Sequence, residues 1–109
     1  MPSVTIHVGP DQKLDGGQFA DLSEVLATLI VDRLGAAADK VQVMPVALAQ
    51  APLGRPVYIE IKARKTTART EQVLKDFVGQ VDEITFQAFG CRCRIRYFAY
   101  PGEFLAASN

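Results

Sequence analysis

Hydrophobic and polar residues alternate over residues 3–8, which predicts a β-strand with one apolar face. Residues 9–17 are rich in glycine, proline and aspartate, a composition typical of a loop. Apolar residues then recur at three- and four-residue spacing across residues 18–34, and Gly35 follows the last of them. That spacing predicts an amphipathic helix that ends at the glycine. The β-branched, apolar residues 41–48 predict a second strand.

The same order returns in the second half of the chain. Residues 57–62 alternate as a strand, and Thr70 is suited to cap the N-terminus of a helix. Residues 81–89 have β propensity, but the apolar helical stripe runs through them and stops at Gly90. Residues 91–98 alternate again. The pattern is therefore strand, helix, strand, twice over.

This pattern predicts one α/β (α+β) domain over residues 1–109, made of two tandem β-α-β units. The two strands of each unit should run parallel within a four-stranded sheet, with both helices on one face. Pro45 lies inside the second strand and restricts that strand to an edge or a bend. The sheet face without helices is partly apolar, so we expect a partner to cover it.

Composition excludes several classes of protein. Twelve basic residues balance twelve acidic ones, which gives no overall attraction for nucleic acid or membrane. No segment has the roughly 20 apolar residues of a membrane helix, and the start lacks an export signal, so we expect a cytoplasmic protein. Residues 55–109 carry nine basic and six acidic residues. This excess suits an anionic ligand or a docking subunit, or else arises by chance.

Few residues are suited to bind a metal. Cys91 and Cys93 are too close together for an ordinary disulfide, and His7 is the only histidine. A structural zinc site needs more ligands than these. We therefore expect buried, reduced cysteines, a structural histidine, no metal and no cofactor.

Several segments resemble a known family. Met1-Pro2 leads directly into the first strand, and the second helix begins with Thr70-Glu71-Gln72 after a segment that runs from Val57 to Arg69. The tail contains Gly102-Glu103-Phe104-Leu105. Together with the doubled β-α-β unit, these features resemble the tautomerase superfamily, which includes 5-carboxymethyl-2-hydroxymuconate isomerase, macrophage migration inhibitory factor and malonate semialdehyde decarboxylase.

The resemblance implies an enol-keto tautomerase or isomerase that acts on a small carboxylated molecule. It implies that Pro2 becomes the catalytic base once Met1 is removed, and that the protein is a homotrimer. Arg69 matches the arginine of the family's helix-entry motif and Arg64 matches one often placed before it, so the resemblance implies that both bind substrate. Many members of the family have an arginine in the first loop, whereas here Lys13 is the only cation in that loop. The resemblance therefore does not imply which substrate this protein uses.

Other functions remain open at this stage. The chain could be a non-enzymatic oligomeric domain of the same fold, or a nucleic-acid module built on Arg92, Arg94 and Arg96. The lack of net charge and of aromatic stacking residues argues against the nucleic-acid module. We expect these three arginines to pair with acidic residues across a subunit interface, although they could instead line a polar cavity or face solvent.

Overall fold

The chain folds as two β-α-β units in the computed structural model, which describes residues 2–108. Met1, whose removal the proline mechanism requires, lies outside the described residues. The first unit contains β1 (Ser3–Val8), α1 (Gly16–Leu34) and β2 (Gln42–Ala47). The second contains β3 (Val57–Arg64), α2 (Glu71–Phe89) and β4 (Arg94–Tyr100). Short 3-10 turns lie at Ala38–Lys40 and Gly102–Phe104.

The strands form one mixed sheet in the order β2-β1-β3-β4. The pairs β1–β2 and β3–β4 are parallel, as predicted, whereas the central pair β1–β3 is antiparallel. Strand β2 lies at an edge, which confirms the position expected from Pro45. At an edge, the missing N–H of proline does not interrupt a ladder between two neighbours.

Side-chain caps fix where both helices begin. The Asp15 carboxylate accepts a hydrogen bond from the backbone N–H of Gln18 at 2.8 Å, and the Gln18 side chain accepts one from the Asp15 N–H at 2.9 Å. This reciprocal capping box starts α1 at Gly16, two residues before the predicted start. Thr70 caps α2 as predicted, accepting a hydrogen bond from the Val73 N–H at 3.2 Å.

The predicted last strand begins too early. Residues 91–98 alternate in sequence, but β4 starts only at Arg94. Gly90 ends α2 in the left-handed conformation, with φ of 72°. The chain uses Cys91 to Cys93 to turn from the helix onto the sheet. After this turn, β4 runs back along the sheet parallel to β3.

The core lies between the helices and one face of the sheet. Alternate residues of β1 and β3 point into it, among them Ile6, Ile59 and Ile61, which are fully buried beside Leu26 and Phe77. The other face, which we call the outer face, carries the remaining residues of each strand. Four large apolar side chains on it stay 38–40% exposed: Met44, Val46, Phe98 and Tyr100.

Neither helix of the described chain is long and apolar enough to cross a membrane.

Candidate functional site

Pro2 lies at the start of β1 and is fully buried. Its carbonyl oxygen accepts a hydrogen bond at 3.1 Å from the N–H of Gln42, the first residue of β2. This bond holds the start of the chain against the neighbouring strand. A cavity of about 420 Å³ opens beside it. Its lining comes from the start of β1, the 3-10 turn and start of β2, the ends of β3 and β4, and the tail: Pro2, Ser3, Asp39, Lys40, Val41, Gln42, Lys62, Ala63, Tyr100 and Leu105.

The cations that line this cavity are lysines. Lys40 lies on the 3-10 turn before β2, next to Asp39. Lys62 lies on β3, directly opposite Ser3 in the antiparallel pair. The Lys62 Nζ atom is 3.0 Å from Glu60 Oε1, and the side chain remains 51% exposed. The cavity is therefore a partly apolar recess whose described lining holds two lysines and one aspartate.

A line of polar side chains continues from Lys62 along the outer face of β3. The Glu60 carboxylate accepts a hydrogen bond from the Tyr58 hydroxyl at 2.9 Å on its second oxygen. The hydrogen bond from Lys62 is the main reason that the pKa of Glu60 is lowered, and the same bond raises the pKa of Lys62. Burial, followed by the bond to Glu60, raises the pKa of Tyr58. Both charges of the pair are therefore fully developed at neutral pH.

His7 belongs to the same polar face. Its Nδ1 atom is 3.2 Å from the Tyr58 carbonyl oxygen, to which it can only donate, and its ring stacks on the Tyr58 ring with centroids 5.4 Å apart. This arrangement agrees with the structural role predicted for His7. Within residues 2–108, no group of three or more His, Cys, Asp or Glu side chains is arranged to hold a metal ion.

Arg69, a predicted substrate-binding residue, donates to backbone carbonyls. Its Nε–H reaches the Leu34 carbonyl oxygen at 2.9 Å, and its Nη1 reaches the Arg64 carbonyl oxygen at 2.9 Å. The guanidinium thus joins the end of α1 to the end of β3. Arg69 does not line the cavity beside Pro2 among the described residues.

Arg64 lies nearer to that cavity. It ends β3 on the outer face, two residues after Lys62, and pairs across the sheet with Tyr100, which lines the cavity. Its aliphatic stem packs near Gly102, where a methyl group added to the glycine would be 3.5 Å from the Arg64 Cδ. The side chain is exposed. The Arg69 guanidinium is therefore hydrogen-bonded to the Arg64 backbone, while the Arg64 guanidinium has different surroundings. The substrate-binding roles of both residues stay predictions.

Sequence reasoning missed Lys40, Lys62, Tyr100 and Leu105 as neighbours of Pro2. The alternation over residues 57–62 placed Lys62 on the polar face of a strand, but it did not identify the strand beside it. Only the antiparallel register of β1 and β3 brings Lys62 to the start of the chain.

The arginines near β4 differ in their partners. Arg92 precedes the strand and pairs with α2, with Nη1 at 3.3 Å from Asp82 Oδ2 and 3.2 Å from Glu83 Oε1. Its guanidinium also lies 4.0 Å from the centre of the Phe86 ring. Arg92 therefore has its acidic partners within the chain, because the strand starts later than predicted and leaves this residue beside the helix; pairing between subunits stays a prediction. Arg94 and Arg96 lie on the outer face, opposite Tyr58 and Glu60.

A larger recess of about 820 Å³ lies by the helices, lined by residues of α1 and α2 that include Asp32, Lys75, Asp76 and Glu83. Its described lining includes neither Pro2 nor the predicted arginines. We therefore take the cavity beside Pro2 as the candidate active site.

Three solved structures share this architecture. A member of the cis-3-chloroacrylic acid dehalogenase family, N1, has a TM-score of 0.77 and 20% identity over 96% of this chain and 79% of its own. Pt0534, solved after inactivation by 2-oxo-3-pentynoate, has a TM-score of 0.76 and 18% identity over 97% and 91%. A fused 4-OT described as a symmetric trimer has a TM-score of 0.75 and 13% identity over 98% and 92%.

No family model and no curated protein sequence matches the chain, so the comparison is one of structure. At these identities, the agreement in backbone structure concerns the fold. The protein therefore has the fold of the tautomerase superfamily, which the resemblance in its sequence implied.

Proposed function

We propose that this protein is an enol-keto tautomerase or isomerase that acts on a small carboxylated molecule, with Pro2 as its base. The observation that carries the proposal is the position of Pro2, fully buried at the start of a strand and beside a cavity with two lysines. The substrate class fits this cavity, because the two lysines attract a carboxylate while Val41, Ala63 and Leu105 contact its apolar part.

The chemistry requires a free proline nitrogen. With Met1 attached, that nitrogen is an amide without a basic lone pair; with Met1 removed, it is a secondary amine. The amine takes the proton of the substrate's enol hydroxyl, and the resulting ammonium returns a proton to carbon, so that the enol becomes the keto form without a net change in atoms. Lys40 supplies positive charge for the enolate oxygen that develops between these steps.

The surroundings of Pro2 favour a neutral amine. An ordinary α-amino group has a pKa of about 7.7–8.0. Burial and nearby cations both disfavour a further positive charge, so we expect the pKa of this amine to be lower. A base with a pKa near neutrality keeps a useful unprotonated fraction at physiological pH.

Arg64 and Arg69 keep their proposed place as substrate-binding residues. Arg64 lies beside Tyr100 at the margin of the cavity and is exposed. Arg69 donates two N–H groups to backbone carbonyls, which leaves three of the five donors of its guanidinium free for a ligand.

The free cysteines Cys91 and Cys93 suit a reducing compartment, and we propose the cytoplasm.

We also propose that the protein is a homotrimer in which neighbouring copies cover the outer sheet face. That face exposes Met44, Val46, Phe98 and Tyr100, and its edge strands β2 and β4 remain open to pairing. The symmetric trimer among the solved structures supports the proposal.

Light scattering should give the mass of three chains. Met44→Glu should lower it, whereas Val25→Glu on α1 should not; a wild-type monomer at micromolar concentration would contradict the trimer.

Activity is tested with protein whose mass proves that it begins at Pro2. It should ketonise enols of the phenylpyruvate or hydroxymuconate type, with a rate that rises through one pKa below that of an ordinary α-amino group. Pro2→Ala, processed to the same length, should lower the rate strongly, because a primary amine in a different geometry replaces the ring nitrogen. The matched control retains Met1 and should be inactive. Full activity of that control would rule out the proline mechanism. A folded oligomer that begins at Pro2 and turns over none of these enols would favour the non-enzymatic domain.

A further inference from the structure

We infer that Lys62 binds the carboxylate of the substrate and so selects anionic over neutral molecules at the Pro2 cavity. This inference rests on the proposed function and adds a specificity-determining residue to it. The sequence resemblance implies that Arg64 and Arg69 bind substrate; for the carboxylate itself, the surroundings of the three side chains favour the lysine.

The register of the sheet gives the first reason. Lys62 is directly opposite Ser3, the residue after Pro2, in the antiparallel pair of β1 and β3. Opposite residues in such a pair have Cβ atoms about 4.5–5.5 Å apart. Pro2, Ser3 and Lys62 also line the same cavity. A rigid element therefore carries the ammonium, and its backbone position relative to Pro2 is fixed by ladder hydrogen bonds.

The bonding of the ammonium gives the second reason. A lysine ammonium has three N–H donors, and Lys62 directs one of them at Glu60 Oε1, 3.0 Å away. Two donors remain, half of the side chain is exposed in the single chain, and Lys62 is among the residues that line the cavity. Glu60 is itself bonded to Tyr58 at 2.9 Å, which fixes the carboxylate that orients the lysine.

The other cations are less suited to the role. Lys40 also lines the cavity, but it lies on the short 3-10 turn before β2 and not on a strand held by neighbours on both sides. Arg69 is bonded to the carbonyls of Leu34 and Arg64 and does not line the cavity. Arg64 lies two residues further along the outer face than Lys62 and packs near Gly102.

The test compares two acetylenic ketones that differ only in the group the lysine would recognise. One is 2-oxo-3-pentynoate, which carries a carboxylate; the other is 3-pentyn-2-one, in which a methyl group replaces it. Addition of the Pro2 amine across either triple bond gives a covalent adduct, which is mapped by mass to the N-terminal peptide and thereby distinguished from adducts of Cys91. Rates are taken at the high-pH limit, where the amine is unprotonated in every variant.

Lys62→Met should slow modification of Pro2 by 2-oxo-3-pentynoate about 10- to 100-fold, the usual range for a lost charged hydrogen bond. It should leave the rate with 3-pentyn-2-one within about twofold, since that compound has no carboxylate. Lys62→Arg, which keeps the charge, should retain most of the preference for the anion. The matched control is Lys13→Met, which removes the same charge from the β1–α1 loop and should change neither rate.

An equal slowing with both compounds in Lys62→Met, or no slowing with either, would overturn the inference while the role of Pro2 stands. So would loss of the anionic preference in Arg64→Met with its retention in Lys62→Met. If wild-type Pro2 is modified by neither compound, the proposed function fails, and the inference that rests on it fails too.

Discussion

The Nε–H of Arg69 donates to the carbonyl oxygen of Leu34 at 2.9 Å, so a residue just before α2 is bonded to the last residue of α1. A second bond, from Nη1 to the Arg64 carbonyl, includes the end of β3. The last carbonyls of a helix lack partners within the helix, and Arg69 satisfies one of them. This side chain therefore stabilises the junction of the two β-α-β units, whatever it contributes to ligand binding.

Replacing Arg69 by methionine should destabilise the protein by about 1.5–3 kcal/mol, the range for hydrogen bonds that involve a charged group. Arg64→Met is the matched control. That side chain is exposed, so its loss should change the free energy of unfolding by no more than about 0.5 kcal/mol. Urea denaturation measures both values. Equal stability of the two variants would show that the Arg69 bonds contribute nothing net.

Gly79 offers a stabilising substitution. It lies within α2, and a Cβ added there would meet no atom within 4 Å. Gly79→Ala should raise the free energy of unfolding by about 0.5–1 kcal/mol, because alanine loses less backbone entropy in a helix. Gly90→Ala is the control with the opposite sign, since φ at Gly90 is 72° and a Cβ is disfavoured there. Thermal unfolding of both variants tests the pair; a Gly79→Ala variant no more stable than wild type would contradict it.

The two thiols should react differently. Cys93 is buried, and this burial raises its pKa to about 11, whereas Cys91 is only partly buried. At pH 8 a thiol reagent should modify Cys91 first, and Cys91→Ser should remove the fast phase. Rapid labelling of Cys93 in the folded Cys91→Ser variant would contradict the burial.

The same pKa predicts how stability changes with pH. Above the thiol's ordinary pKa of 9.0, the unfolded chain releases the Cys93 proton while the folded chain still holds it. Stability should therefore fall as pH rises from 9.0 to about 11. The free energy of unfolding should fall less steeply in Cys93→Ala, and an identical slope in both proteins would be the contrary result.

Tyr97 has a hydroxyl that is buried and without a hydrogen-bond partner among residues 2–108, while its ring packs edge-on against Phe77 with centroids 6.0 Å apart. Tyr97→Phe keeps the ring and removes the unsatisfied group, so we expect unchanged or higher stability, by up to about 1 kcal/mol. Tyr58→Phe is the control, because it breaks the 2.9 Å bond to Glu60. A loss above about 1 kcal/mol in Tyr97→Phe would mean that the hydroxyl has a partner, such as a bound water.

The sequence by itself determined the elements and their order. Alternation with a period of two, apolar residues at helical spacing, the cap at Thr70 and the glycines at 35 and 90 all act over a few residues, so they can be read from the chain directly. Pro45 indicated an edge strand for an equally local reason, its missing N–H. The early start of α1 was missed because Asp15 and Gln18 form their capping box within a segment whose composition suggests a loop.

Tertiary structure alone decided which side chains surround Pro2. The antiparallel register of β1 and β3 pairs Ser3 with Lys62, although 58 residues separate them along the chain. The periodicity within each segment does not specify which residues of β1 and β3 pair. That register depends on how the two β-α-β units pack their helices against one sheet. The same packing turned Arg69 toward the carbonyl of Leu34. Local patterns in the sequence therefore determined the fold, whereas long-range packing determined which cations lie beside the proline.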